Sequence, residues 1–346
     1  MELGIYTFGD LVADPKTGRT ISARERMRQL LDLARLADQA GLDVLGVGEH
    51  HGLNFVNSAT AATLAAMAAV TERIRLTSAT TLLSTADPVR TFQEFATVDL
   101  VSDGRAELIF GRGAFLDNFP LFGFDQQDYD ALFVEKLGLF AQLNAQERVS
   151  WQGRFRAPLR EAEIAPRPVQ PQLPVWIGAG SPSSLARAAA LGYPVAMPVL
   201  GGSLPGYAQL AAYYRQQWAE QQPDKPFQLA VFSHLHLSET ARQTQQDFYP
   251  YYSAYLAPLF KGPMPRRQYD EMLAPLGSLV GGSPQQVIDK LLLLKSMGVT
   301  RYVGQLDIGG QPFADVAKGL ELFMSKVAPA LQGVRRGPPT SWTSAN

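Results

Sequence analysis

The chain holds four histidines and no cysteine. Thiolate nucleophiles, disulfides, iron–sulfur clusters and Cys-ligated zinc are therefore excluded, and any metal would need His and carboxylate ligands. All four histidines fall near the ends of short β-type runs. His50, in the string Glu49-His50-His51, is suited to proton transfer at an active site, with a satisfied structural role as the alternative; His51 is left open. His234 and His236 stand two apart on one run and so face the same way, which permits a metal pair or a row of polar groups lining a barrel. A second chemistry is written in Gly178-Ala179-Gly180-Ser181-Pro182-Ser183-Ser184. Ser181 is a good N-cap and Pro182 fits the first helical position, so the hydroxyls and amides of Ser183 and Ser184 line a helix N-terminus. Gly178 and Gly180 remove side chains where a phosphate would approach, which makes the segment an anion cradle or an ordinary capped helix. Arg112, between Gly111 and Gly113, could donate to the same anion or pair with Glu94, Asp99 or Glu107. Neither G-x-G-x-x-G nor G-x-x-x-x-G-K-[ST] occurs, so no dinucleotide or Walker fingerprint is present.

The elements that must position these residues alternate. Strand-like runs at Leu3–Phe8, Asp43–Gly48, Ile74–Leu82, Glu107–Gly111, Pro174–Ala179, Pro194–Val199, Gln228–Leu237 and Arg301–Asp307 are each followed by a helix-type pattern. The first helix carries Met27, Leu30, Leu31, Ala34 and Ala37 at helical spacing after a Ser22-x-x-Glu25 capping box. Eight such pairs predict a (β/α)8 barrel with insertions, a doubly wound open sheet being the alternative. The expectation is one barrel domain over residues 1–331, insertions near 148–173 and 258–282, and a mobile tail over 332–346. In a barrel the motifs above all fall on the face where the strands end.

Composition bounds the rest. With 31 Lys+Arg against 32 Asp+Glu in 346 residues and 46% apolar residues, the chain is globular and lacks the basic stripe of a nucleic-acid binder. No signal peptide and no membrane-length apolar run appears, so a cytoplasmic protein is expected. The alanine-rich run Ala59–Val70 suits close helix packing, either onto the barrel or in a homodimer.

Together and in order, Glu49-His50-His51, Ala86-Asp87-Pro88-Val89-Arg90, Ser102-Asp103-Gly104-Arg105, Gly111-Arg112-Gly113, the Ala179–Ser184 segment and Leu322-Phe323…Val327-Ala328-Pro329 resemble the flavin-dependent luciferase-like monooxygenases, over nearly the whole chain. The resemblance implies a barrel that binds FMN at its C-terminal mouth, with reduced flavin and O2 as co-substrates and a C4a-hydroperoxide as the oxidant of a small organic, possibly aldehyde-like, substrate. It implies that Gly180, Ser181, Ser184 and Arg112 hold the FMN phosphate, that His50 is the catalytic histidine, and that Ala79–Thr80 is a non-prolyl cis peptide under the flavin ring. A separate NAD(P)H:FMN reductase is implied as partner. Tyr6, Phe8, Phe55 and Phe115 suit a hydrophobic substrate or plain core packing. Gly111 stands where the light-emitting α subunit has a cysteine, so oxygenation without light emission is expected. The alternatives are an F420-dependent hydride-transfer enzyme, a non-catalytic flavin-binding protein, and a metal-dependent hydrolase built on His234 and His236.

Overall fold

The computed structural model describes residues 1–111, 113 and 118–332. Eight strands form a closed parallel ring: β1 (Glu2–Thr7), β2 (Val44–Val47), β3 (Arg75–Ser78), β4 (Ala106–Gly111), β5 (Val175–Gly178), β6 (Val195–Val199), β7 (Leu229–Leu237) and β8 (Arg301–Gln305). β8 pairs with β1 through Glu2↔Arg301 to Tyr6↔Gln305, which closes the ring. Helices α1 (Ala23–Ala40), α2 (Thr60–Ala68), α3 (Pro88–Ser102), α4 (Tyr129–Ala145), α5 (Pro182–Leu191), α6 (Leu204–Gln221), α7 (Pro284–Ser296) and α8 (Phe313–Leu322) follow the strands in turn. The protein is a (β/α)8 barrel, as the alternation predicts.

Because successive side chains on a strand point to opposite faces, the apolar runs serve two cores. Leu108, Phe110, Val175, Ile177, Val195 and Met197 pack outward against the helices, whereas Ile109, Trp176 and Ala196 point inward with Tyr6, Val44, Phe232 and Val303. The N-terminal end of the barrel is plugged by ions. Arg301 donates to Glu107 at 2.6 Å and to Glu2 at 2.6 Å, Arg75 pairs with the same two carboxylates, and the Arg301 guanidinium lies 4.5 Å from the Trp176 ring centroid. Burial pulls the Arg301 pKa down, but the Glu107 and Glu2 carboxylates outweigh it and hold the group above its ordinary value.

The helix starts follow local chemistry. Asp87 accepts the Val89 and Arg90 N–H groups with Pro88 behind it, and Ser181–Pro182 and Ser283–Pro284 repeat the pattern. On α1, Ser22 accepts the Glu25 N–H, but only this half of the expected capping box forms, and Leu33 rather than Met27 or Leu31 is fully inside. The Ser102–Arg105 motif is structural. Asp103 and Gly104 take left-handed conformations that turn the chain, so the Arg105 guanidinium donates to the carbonyls of Ala68, Thr71, Ile74 and Ser102 and caps the end of α2.

Two excursions leave the ring. An antiparallel hairpin of Arg148–Trp151 and Leu159–Glu163 lies between α4 and β5, and Arg156 beyond its first strand pairs with Asp87 at 2.9 Å. The second excursion begins soon after β7, well before Pro258. Helices Tyr249–Phe260 and Arg266–Leu273 pack Phe248, Tyr252, Tyr269, Met264 and Met272 into a small core of their own, and Val280–Gly282 returns beside β7. The expected tail, apart from Gln332, lies outside the described residues.

Replacing Arg301 with Met leaves Glu107 buried beside a single remaining cation. Chemical denaturation is expected to show a loss of about 3–5 kcal/mol, partly recovered by adding Glu107→Met.

Candidate active site

At the end of β2 the chain passes through Glu49, His50 and His51 into a loop fastened by Asn57. The Asn57 amide donates to the Gly48 carbonyl, its backbone carbonyl accepts the His50 N–H at 3.0 Å, and Thr63 donates to its side-chain oxygen at 2.6 Å. Glu49 is used structurally: one oxygen accepts the Leu82 N–H at 2.9 Å and the other meets His51 at 2.9 Å. The half-buried His50 ring stacks on Phe55, with centroids 4.2 Å apart and planes 19° apart, and meets the edge of Phe8 at 4.5 Å. An imidazole held between two aromatic rings keeps one orientation, which a proton-transferring group requires.

Continuing round the rim, the run expected as one strand over Ile74–Leu82 is split. β3 ends at Ser78, the Ala79–Thr80 peptide is cis, and Thr81–Leu82 then pairs with β4. Small residues surround this bend. A Cβ on Gly111 would overlap the Thr80 side chain, and one on Gly48 would overlap the Phe8 ring and sit 2.7 Å from the Ala79 carbonyl oxygen. The rim from β2 to β5 is thus a shallow floor on which backbone, rather than side chain, is presented.

Beyond β5 stands the serine cluster. Ser181 Oγ accepts the Ser184 N–H at 3.3 Å, Ser184 Oγ accepts the Ser181 N–H at 3.0 Å, and the Ser181 hydroxyl lies 2.9 Å from that of Ser184 and 3.2 Å from that of Ser183. Three hydroxyls therefore converge at the start of a ten-residue helix, where the positive end of the helix dipole favours an anion. Gly180 beside them is exposed. Arg112 and Phe115 lie outside the described residues.

The opposite side of the mouth is aromatic. Tyr6 touches Phe8 and Phe232 at 5.4 and 5.3 Å. His234 Nδ1 is 2.8 Å from the Tyr252 hydroxyl, while His236 stacks on Phe248 at 4.0 Å and meets the Ser238 hydroxyl at 3.2 Å. Burial pulls both imidazoles down to about 3, so they are neutral at physiological pH. Each ring is thus separately engaged rather than paired about a common centre, and among the described residues no group of three or more His, Asp or Glu is arranged to hold a metal.

Three features escaped the sequence reading. Asn57 reads as an ordinary loop residue. Asp10, Arg26 and Asp307 form a buried group under the mouth, Asp307 lying 281 positions beyond Arg26. A cavity of about 480 Å3 opens between α2 and α3, lined by Glu49, His51, Thr81, Arg90 and Glu94, but not by His50 or the serine cluster. Burial lifts the Glu94 pKa, with Arg90 opposing and the Glu49 charge assisting.

A (β/α)8 barrel whose polar groups gather on the rim where the strands end is the architecture of a barrel enzyme. The comparison with known families makes the class specific: residues 1–301 match the model of the luciferase-like monooxygenases, and the chain belongs to that family. Over 95% of both chains it is 22% identical to the flavin-dependent trigonelline monooxygenase, oxygenase component, of Acinetobacter baylyi. It is 33% identical to an F420-dependent glucose-6-phosphate dehydrogenase of Amycolatopsis mediterranei, over 48% of this chain and 52% of that one. Among solved structures, monooxygenase RslO1 of Streptomyces bottropensis superposes with a TM-score of 0.84 at 24% identity, covering 96% of this chain and all of that one. The oxygenating constituent of 3,6-diketocamphane monooxygenase of Pseudomonas putida, in complex with FMN, gives 0.75 at 18% identity, over 95% and 98% of the two chains.

Gly111→Ala is expected to push Thr80 off the floor and cost about 1–3 kcal/mol in thermal or chemical unfolding. Thr80→Ala in the same chain should recover part of that loss, since only the overlap with the outer atoms of Thr80 is relieved.

Proposed function

We propose that this protein is the oxygenase component of a two-component flavin monooxygenase, taking reduced FMN from a separate NAD(P)H:FMN reductase and oxidising a small organic substrate. The observation that carries the reading is the rim itself: a clamped histidine and a serine-lined helix start sit at opposite ends of a floor of small residues. That arrangement fits a flat ring with an anionic tail. The relative named as an oxygenase component and the neighbour holding FMN agree with it.

Bound reduced FMN would supply the electrons that activate O2. The chain does the rest. Ser181 and Ser184, with Gly180 leaving room and Arg112 as the cation, hold the phosphate. Ala79 and Thr80 would form the floor against which the ring is held. The His50 imidazole holds or moves a proton beside the ring, and Phe8, Phe55, Tyr6 and Phe232 keep water from it. The same aromatic side suits a hydrophobic, possibly aldehyde-like, substrate.

The exposed residues of α2 and its C-terminal cap are Ala62, Ala66 and Ala69. Such a face allows close approach of a second helix, and the protein works as a homodimer through it. Sedimentation should give a dimer, and Ala66→Arg a monomer.

A second reading, hydride transfer with F420 in the same mouth, draws on the F420-dependent relative. Mixing the protein with reduced FMN and then with O2 in a stopped-flow instrument separates the two. The expected result is a transient absorbing species that outlives the oxidation of free flavin; oxidation at the free-flavin rate, with F420 displacing FMN, would favour the second reading. His50→Ala should lower turnover about 10²–10⁴-fold. Ser181→Ala and Ser184→Ala should each weaken FMN binding about tenfold, the worth of one hydrogen bond to a charged group.

A further inference from the structure

The helix Arg266–Leu273 brings no cation of its own to its C-terminus. The carbonyls left free at a helix end form the negative pole of its dipole and attract a positive charge, yet the last turn holds no basic residue, only Asp270 and Glu271, each paired with an arginine one turn back. The cation comes from another element. Lys290, on α7, is 3% exposed, and its Nζ donates to the carbonyls of Leu279 at 2.5 Å, Leu273 at 3.0 Å and Gly277 at 3.2 Å, with the Met272 carbonyl at 3.5 Å. Four carbonyls shared among the three N–H groups of one ammonium make a cage of the kind that elsewhere holds a monovalent cation. Burial pulls the Lys290 pKa down to about 8, so at neutral pH the ammonium remains the prevailing form.

The cage joins two segments. Met272 and Leu273 end the helix, whereas Gly277 and Leu279 begin the return to the barrel, and a Cβ on Gly277 would sit 2.2 Å from the Met272 carbonyl oxygen, so the approach is as close as backbone allows. From the cage, Val280–Gly282 runs on to pair with Leu235–Leu237 of β7, while Gly277 bridges Ser203 and the Leu276 carbonyl accepts the Leu204 N–H at the start of α6. The buried side of the helix carries Tyr269, whose ring lies 5.7 Å from that of Tyr252 and 6.5 Å from that of Phe248. Those two residues in turn engage His234 and His236. One ammonium therefore stands at the foot of a stack of rings that ends in the mouth.

We propose that Lys290 is a positioning residue: its ammonium is the internal cation that gathers the end of the helix Arg266–Leu273 and the return strand, and through Tyr269 and Tyr252 it sets where the His234 ring stands in the mouth. This rests on the function proposed above only for the use made of that half of the mouth; the pin itself does not. The carbonyls ask for charge and donors, which the carbon stem cannot supply. Without them the cage is left buried and short of hydrogen bonds. That cost falls on the excursion, because Val287, Leu291 and Leu294 still hold α7 in the barrel's apolar core. The floor and the serine cluster belong to the elements from β2 to α5, so binding there is independent of the pin.

Hydrogen exchange read by mass spectrometry at neutral pH, on the full chain without flavin, tests the pin. Lys290→Met keeps a stem and removes the charge, so protection across residues 266–282 should fall roughly 10–100-fold, the worth of hydrogen bonds to a charged group, while α4 keeps its own. In Lys290→Ala, methylammonium chloride should restore that protection, and tetramethylammonium chloride at the same ionic strength, which has no N–H to donate, should not. With only four histidines in the chain, the His234 ring signals of imidazole-labelled protein are identified by their loss in His234→Asn; they should shift in Lys290→Met. Wild-type protection in Lys290→Met, a loss of equal size in α4, or an unmoved His234 signal would overturn the proposal. Should Lys290→Met fail to fold, Lys290→Ala purified in methylammonium chloride decides: exchange into tetramethylammonium chloride must release residues 266–282 ahead of α4, and release of both together overturns it. Failure of FMN to bind even the wild type would count against the flavin reading alone and leave this result standing.

Discussion

Parallel strands deliver all their C-terminal ends to one rim, and that constraint governs the rest of the molecule. Each strand must turn into a helix at that rim, so the groups that start helices collect there: Asp87, Ser181 and Ser283, each followed by proline. Such residues are chosen by the need to satisfy free N–H groups, and the same chemistry binds anions. The serine cluster thus satisfies the helix start with the same groups that an anion would need. At the other end, the strand starts carry no such requirement, and the balanced Arg75, Arg301, Glu2 and Glu107 cluster fills the space.

The rim divides into unlike halves. From β2 to β5 it is low and made of backbone, with Gly48 close against the Ala79 carbonyl and Gly111 close against the Thr80 side chain. From β7 round to β1 it is tall and aromatic, carrying Phe232, Tyr252, Tyr255 and Tyr6, with neutral His234 tied to Tyr252. His50 stands at the seam, touching Phe8 from the aromatic half while its own strand begins the flat one. Under the function proposed above, a planar cofactor and an apolar co-substrate would each have a matching half, with the histidine at the boundary between them.

What could be read from the sequence is what is decided locally. The eight strands were legible because short apolar runs bounded by turns can do little else, and Ser181–Pro182 because a helix start is fixed within four residues. The expected capping box at Ser22 half-formed, since Ser22 makes its bond within the turn whereas Glu25 is free to point to solvent. The Asp10, Arg26 and Asp307 group was illegible for the opposite reason. Arg26 and Asp307 are 281 positions apart, and their meeting depends on ring closure. Asn57 likewise acts through backbone groups, which no residue type announces. The second excursion starts early because Phe248, Tyr252 and Tyr269 pack on each other, a preference that an apolar pattern alone does not distinguish from packing on the barrel.

Closure of the ring by β8 also has a temporal side. Arg301 and Glu2 meet across 299 positions, so during synthesis the outer edge of β1 waits for almost the whole barrel to be made. At roughly 5–20 residues per second that interval is on the order of 15–60 s. Until the ring closes, the nascent chain carries an open parallel edge. β1 is therefore made long before the strand that protects its outer edge.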